Sequence, residues 1–265
     1  MDNRPIGVFD SGMGGLTAVR RMRELLPDEQ IIYFGDTGRV PYGTRSNETI
    51  IKYTRQDVAF LKTFDIKAIV VACGTVSSVA LDTVSAETEV PMIGVVWPAC
   101  AKALAATKTG RVGVIGTPGT IRSGSYERML HAARPDLTVV SRACPLFVPL
   151  VENGRVHPGD VVIETVVAEY LTELREAGVD TLILGCTHYP LLGEVIGNFM
   201  GADVALIDPG AAAAESLRAM LVPAEGPGGV RYFVSDDPGL FDSLAPVFLR
   251  GTPEGHAELV EIAAY

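Results

Sequence analysis

The sequence predicts an α/β protein built as two pseudosymmetric, doubly wound lobes with mainly parallel sheets and a site in the cleft between them. Three observations carry this expectation. Short continuous runs rich in Val and Ile alternate with helical stretches along all 265 residues. Such runs fit strands covered on both faces, as in parallel sheets. Residues 5–12 (PIGVFDSG) share a pattern with residues 111–118 (RVGVIGTP): strand, small-residue turn, helix. Each copy is followed by a second strand and helix, and then by an apolar strand that ends at a cysteine, Cys73 or Cys186. The matched cysteines favour a true duplication over the general likeness of α/β units.

Taken in order, strands are expected near 5–9, 30–35, 67–72, 91–95, 111–115, 137–141, 181–185, 203–207 and 231–234. Helices fill the intervals. The clearest is 158–177, with Pro158 near its start and Gly178 after its end. Val161, Val162, Thr165, Val166, Ala168 and Leu171 are read as one side of it. The first lobe starts at residue 1 and ends near Trp97-Pro98, and the second runs to about Leu206. A β-α tail follows Pro209-Gly210, and periodicity leaves open which lobe takes it. The stretch 223–229 (PAEGPGG) is a surface loop.

Bulk composition narrows the function. Apolar residues make up 48% and the formal net charge is −10. That acidity argues against nonspecific nucleic-acid binding and against an anionic membrane surface. No basic-then-apolar leader opens the chain, and no apolar run approaches the roughly 20 residues of a membrane span. Cys73, Cys100, Cys144 and Cys186 form no C-x-x-C pair, so no metal site is expected. Free thiols without an export signal point to a cytoplasmic protein. No lysine stands in a recognisable pyridoxal-phosphate site, so chemistry without a cofactor is expected.

The candidate chemical groups lie where strands end. Cys73 and Cys186 each close a strand and open a helix, and a helix N-terminus lowers a thiol's pKa. Thr75, Ser77 and Ser78 offer caps after Cys73, and Pro190 marks the first helical turn after Cys186. Cys100 and Cys144 lack such settings and read as structural. The turn 10–15 (DSGMGG) begins with a carboxylate and has no nearby Lys, so it would repel phosphate. Ser11 and the backbone N–H groups there suit a substrate carboxylate or amine, with Asp10 handling a proton or orienting a partner. The bland alternative is a helix cap. His188, two residues after Cys186, is a plausible proton partner for the thiol, or else a turn histidine. Glu152 taken alone reads as a solvated loop charge. The loop 35–44 (GDTGRVPYGT) reads as either a lid or a turn.

Together these residues resemble the cofactor-independent aspartate/glutamate racemase superfamily, and within it the glutamate racemases. The resemblance covers essentially the whole chain. It is carried by 9–16 (FDSGMGGL), Gly35-Asp36, Pro41-Tyr42-Gly43, 72–75 (ACGT), 149–152 (PLVE) and 185–190 (GCTHYP). It implies interconversion of L- and D-glutamate for peptidoglycan precursors, without cofactor or metal, by a homodimeric enzyme whose tail returns to the first lobe. The lobes would then be 1–97 plus 207–265, and 98–206. Cys73 and Cys186 would flank the substrate Cα on opposite faces, one removing a proton and the other returning one. Asp10 would assist Cys73; Glu152 and His188 would assist Cys186. Substrate contacts would come from Ser11, Tyr42, Gly43, Thr75, Thr187 and the backbone around Thr117 and Thr120. Asp10, Pro41, Gly74 and His188 would share that surface.

One position departs from the pattern. Gly74 stands where the family carries Asn, which removes an amide expected to touch the substrate. Such a hydrogen bond contributes about 0.5–1.5 kcal/mol. The expectation is weaker glutamate binding with retained chemistry, and a lower KM in Gly74→Asn. Asp208-Pro209-Gly210 also departs from the usual Asp-Ser. The rival readings are a racemase for aspartate or a hydantoin, and a non-catalytic two-lobed amino-acid binding protein.

Overall fold

A computed structural model describes residues 1–265. Ten strands form two sheets, and every pairing is parallel. They are β1 (Ile6–Asp10), β2 (Gln30–Gly35), β3 (Ala68–Val71), β4 (Met92–Gly94), β5 (Arg111–Gly116), β6 (Thr138–Ala143), β7 (Thr181–Leu184), β8 (Ala205–Ile207), β9 (Gly229–Val234) and β10 (Ala257–Leu259). The first sheet has the order β10-β9-β2-β1-β3-β4 and the second β6-β5-β7-β8. The second order is that of β2-β1-β3-β4 repeated, so the duplication seen in the sequence is a duplication of topology. β3 and β7, which lead into Cys73 and Cys186, occupy equivalent places.

Twelve α-helices cover the sheets. They are α1 (Leu16–Leu25), α2 (Asn47–Leu61), α3 (Gly74–Val79), α4 (Leu81–Ser85), α5 (Val96–Ala106), α6 (Pro118–Ser123), α7 (Ser125–Ala133), α8 (Phe147–Glu152), α9 (Val161–Glu176), α10 (Gly193–Met200), α11 (Pro209–Met220) and α12 (Pro238–Leu249). None is long and apolar enough to cross a membrane. The continuous apolar runs are explained by burial on both faces. In β1, Ile6 and Val8 join the largest core cluster while Phe9 joins the cluster beneath α2. In β5, Val112 and Val114 face one cluster and Ile115 another. Alternate side chains point to opposite faces of a strand, so neither face tolerates polar residues.

The structure corrects four local expectations. The buried stripe of α9 is Ile163, Val167, Tyr170, Leu171 and Leu174. Val161 is 71% exposed, Val162 and Thr165 also face solvent, and Val166 and Ala168 are half-buried, so of the side chosen from the sequence only Leu171 is fully in the core. The helix begins at Val161, capped by the Asp160 carboxylate on the Val162 N–H, and Pro158 lies before it. Thr75, Ser77 and Ser78 do not cap α3. Cys73 occupies the N-cap position without a side-chain capping hydrogen bond, and the Ser77 hydroxyl donates to the Val71 carbonyl instead. After Cys186, Pro190 starts a 3₁₀ turn (Tyr189–Leu192) that precedes α10. β10, an exposed edge strand of Ala, Glu and Leu, adds to the expected set.

The tail strand β9 pairs with β2 in register from Gln30↔Gly229 to Gly35↔Val234. β10 then pairs with β9. The carboxyl ends of β1, β3, β5 and β7 converge on one cleft between the two sheets, the place where open α/β sheets hold ligands.

Candidate active site

The cleft is a cavity of about 410 Å³ whose wall comes from both lobes. Asp10, Ser11, Pro41, Tyr42, Gly43, Cys73, Gly74, Thr75, Thr117, Glu152, Cys186, Thr187 and His188 all line it. Thr120 does not. Its hydroxyl lies behind the wall, 3.1 Å from Thr117 Oγ1 and 3.4 Å from Thr75 Oγ1. Thr75 and Thr117 are themselves 2.9 Å apart, so this hydroxyl cluster joins the two halves of the wall.

Cys73 follows β3. Its Sγ donates to Ser11 Oγ at 3.4 Å. Burial pushes the thiol up to about 12, the Asp10 charge adds to the rise, and the Ser11 hydroxyl opposes it. The six-residue helix that follows does not depress the thiol as the sequence suggested, because loss of hydration outweighs a short helix's dipole. Asp10 ends β1 and is fully enclosed. Its Oδ2 accepts the Gly12 N–H at 3.1 Å, and its Oδ1 has no hydrogen-bond partner in the protein. Burial raises its pKa too, against the pull of the His188 charge and of backbone donors. On the Cys73 side, burial therefore raises both the thiol and the carboxyl group above their ordinary values.

The Cys186 side is built differently. Gly185 and Cys186 follow β7, and His188 Nδ1 stands 4.0 Å from Cys186 Sγ and 3.4 Å from Thr187 Oγ1. His188 Nε2 lies 3.0 Å from Glu152 Oε1. Burial alone would depress the imidazole, yet hydrogen bonds to Cys186 and Glu152 raise it to about 10. It is thus an imidazolium at neutral pH, donating to Glu152 on one side and facing a sulfur on the other. Glu152 is the last residue of α8, and the reading of it as a solvated loop charge gives way to this contact.

Tyr42 lines the cleft, but its hydroxyl is turned elsewhere. It donates to Asp36 Oδ2 and lies 3.3 Å from Asp57 Oδ2. Arg39 bridges the same two carboxylates, at 2.6 Å and 2.9 Å, and its guanidinium lies 4.1 Å from the Tyr53 ring centroid. Asp36 Oδ1 accepts from Ser235 at 2.7 Å. Burial, with the neighbouring Asp36 charge, raises Asp57 well above the usual carboxylate range. This buried cluster fixes the loop that carries Pro41 to Gly43. No sequence pattern flagged Asp57, which sits mid-helix in α2.

Gly74 is in contact with the opposite lobe. A Cβ on it would stand 2.4 Å from the Gly185 carbonyl oxygen. An Asn side chain at this position would therefore have to displace the Gly185 backbone before its amide could reach the substrate. No group of three or more His, Cys, Asp or Glu side chains is arranged to hold a metal ion.

A family model described as Asp/Glu/Hydantoin racemase matches residues 6–217. The chain belongs to that family. It is accordingly an isomerase of the amino-acid racemase class. A glutamate racemase of Geobacter metallireducens is 48% identical over 94% of this chain and 93% of its own length. One from Streptococcus pneumoniae is 44% identical over 99% of this chain and all of its own length. Among solved structures, Francisella tularensis glutamate racemase in complex with D-glutamate superposes with a TM-score of 0.90 at 40% identity, covering all of both chains. A Bacillus anthracis glutamate racemase isoform reaches 0.93 at 37% identity, covering 98% of each. The Picrophilus torridus aspartate racemase shares the fold, with a TM-score of 0.57 at 16% identity over 81% of this chain and 93% of its own.

Proposed function

We propose that the chain interconverts L-glutamate and D-glutamate by a two-base mechanism, with Cys73 and Cys186 acting on opposite faces of the substrate Cα. The observation that carries this reading is the pair of thiols delivered by equivalent strands to one cleft, Cys73 beside the Ser11 hydroxyl and Cys186 beside the His188 imidazole. One sulfur, as thiolate, takes the Cα proton while the other, as thiol, gives one from the far side. The roles exchange with direction, because the two substrates are mirror images at that carbon.

An amino-acid Cα–H is a very weak acid, so the site must stabilise carbanion charge with fixed donors in a dry pocket. The hydroxyls of Ser11, Thr75, Thr117 and Thr187 and the N–H groups of the turn at 74–75 supply such donors. The substrate ammonium offsets the cost of ionising the buried Cys73, and Asp10 exchanges a proton with it or orients the amine. The His188 imidazolium, held by Glu152, is the proton partner and counter-ion on the Cys186 side. No step calls on a cofactor.

The lobes are assigned as 1–97 with 207–265, and 98–206. This is supported by β9 pairing with β2 and by the second sheet ending at β8, although Ile207, the last residue of β8, pairs within the second sheet. The product serves peptidoglycan precursors, which places the activity in the cytoplasm, and the working unit is taken as a homodimer.

Circular dichroism of L-glutamate, D-glutamate and L-aspartate incubated with the purified protein tests the reaction. Glutamate is expected to racemise and to take up solvent deuterium at Cα in D₂O. Cys73→Ser and Cys186→Ser should each abolish racemisation and leave glutamate binding largely intact. Racemisation at the normal rate by Cys186→Ser would overturn the two-base mechanism. A preference for aspartate, or binding without deuterium uptake, would favour one of the rival readings.

A further inference from the structure

His188 belongs to the second lobe, yet much of what surrounds its ring comes from the first. Phe248 on α12 meets the imidazole edge-to-face, with ring centroids 5.2 Å apart and planes at 89°. Phe248 is itself fully buried in the main core, where it shares a cluster with Phe241 and Tyr232. On the turn after β1, Gly14 leaves the space the ring occupies. A Cβ there would stand 2.5 Å from His188 Nδ1 and 2.2 Å from Thr187 Oγ1. Beside it, the Thr17 hydroxyl donates to the Thr187 carbonyl oxygen at 2.9 Å. From its own lobe the ring has one strong tether, Glu152, whose side chain is 43% exposed.

We propose that Phe248 and Gly14 form a slot on the first lobe that sets the plane of the His188 imidazole, so that the acid/base group beside Cys186 is oriented only while the lobes are together. Phe248 touches no reacting atom and is a positioning residue. The physical reason is directional. Glu152 fixes one ring nitrogen but leaves rotation about that hydrogen bond. A perpendicular aromatic neighbour in a close-packed core removes that rotation, because ring edges and faces attract in few geometries. The absent Cβ at Gly14 lets Nδ1 point along the direction of Cys186 Sγ.

The inference rests on the two-base reading above, and its test keeps the two apart. L- and D-glutamate have equal free energies, so kcat/KM must be equal in the two directions for every variant. The informative quantity is the primary isotope effect measured separately with α-deuterated L- and D-glutamate. Phe248→Leu keeps an apolar side chain and removes the ring. It should lower kcat about tenfold or more, since small misplacements of a catalytic group carry such costs, with a smaller change in KM. The isotope effect on kcat/KM should rise for the enantiomer whose Cα–H faces Cys186 and fall for the other. Gly14→Ala, which drives a methyl group at the ring, should give the same asymmetry. A purely structural role would reduce the active fraction and leave both isotope effects at the wild-type values. That outcome in both variants would overturn the proposal. Failure of the wild-type protein to incorporate solvent deuterium would instead remove the two-base reading beneath it.

Discussion

Asparagine at position 74 would bring a Cβ to 2.4 Å from the Gly185 carbonyl oxygen, whereas real Cβ contacts essentially never fall below 3.0 Å. The two turns must part by about 0.6 Å to relieve this, and the obstructing atom is backbone with no rotamer to yield. Gly74 directly follows Cys73, and Gly185 directly precedes Cys186, so the separation is imposed where the two sulfurs are held. Overpacking of this kind costs about 1–3 kcal/mol of stability. A misplacement near 1 Å costs on the order of 10²-fold in rate. A shift of half that size supports a loss of about tenfold in kcat, or ~1.4 kcal/mol in barrier height. The amide would return at most about 0.5–1.5 kcal/mol of binding. Gly74→Ala carries the same Cβ without the amide and should lose kcat to a similar degree. Initial rates by circular dichroism at saturating glutamate, in both directions, with a thermal melt of each variant, measure these effects. Unchanged kcat together with a lower KM in Gly74→Asn would refute the steric argument and restore the simple view of a missing hydrogen bond.

Glu152→Gln removes one partner that raises His188. A histidine whose folded value is about 10 against an ordinary 6.5 contributes stability that is complete below pH 6.5 and lost as pH rises toward 10. The difference in melting temperature between wild type and Glu152→Gln should therefore be largest near pH 6 and shrink by pH 10. A difference that is flat with pH would count against the His188–Glu152 pair. Arg39→Ala leaves the buried Asp36 and Asp57 without their shared cation. Removing one member of such a pair costs about 3–5 kcal/mol, read by urea denaturation, and freeing the loop at Pro41 to Gly43 should raise KM more than it lowers kcat. Arg39→Ala with wild-type stability would mean that the cluster does not anchor the loop.

The architecture was legible because strands buried on both faces must be apolar throughout, and β1, β3, β5 and β7 announce themselves as Val and Ile runs. β10 was not, because an exposed edge strand of Ala, Glu and Leu carries no such signature. The face of α9 was misjudged because Val161 and Val162 are apolar but stand in the first turn, beyond the edge of the core. The two thiols were legible through their repeated contexts. Glu152 was legible only through the family resemblance, since its meaning lies in His188, 36 residues away on another element. The direction of the Tyr42 hydroxyl was hidden for a similar reason. Asp57 claims it from the middle of a helix with nothing in its own neighbourhood to mark it.

The pairing of β2 with β9 has a consequence for how the protein is made. Strands β5 to β8 form their sheet from one uninterrupted stretch of chain, so that sheet can assemble as soon as the stretch is available. The first sheet waits. Gln30 meets Gly229 only after nearly the whole chain exists, and β10 joins later still. Closing a loop of that length is slow compared with local pairing. During synthesis the edge of β2 stays bare while the later half of the molecule matures, an interval in which an unpaired strand edge is open to wrong partners. The half of the protein translated first is thus the half completed last.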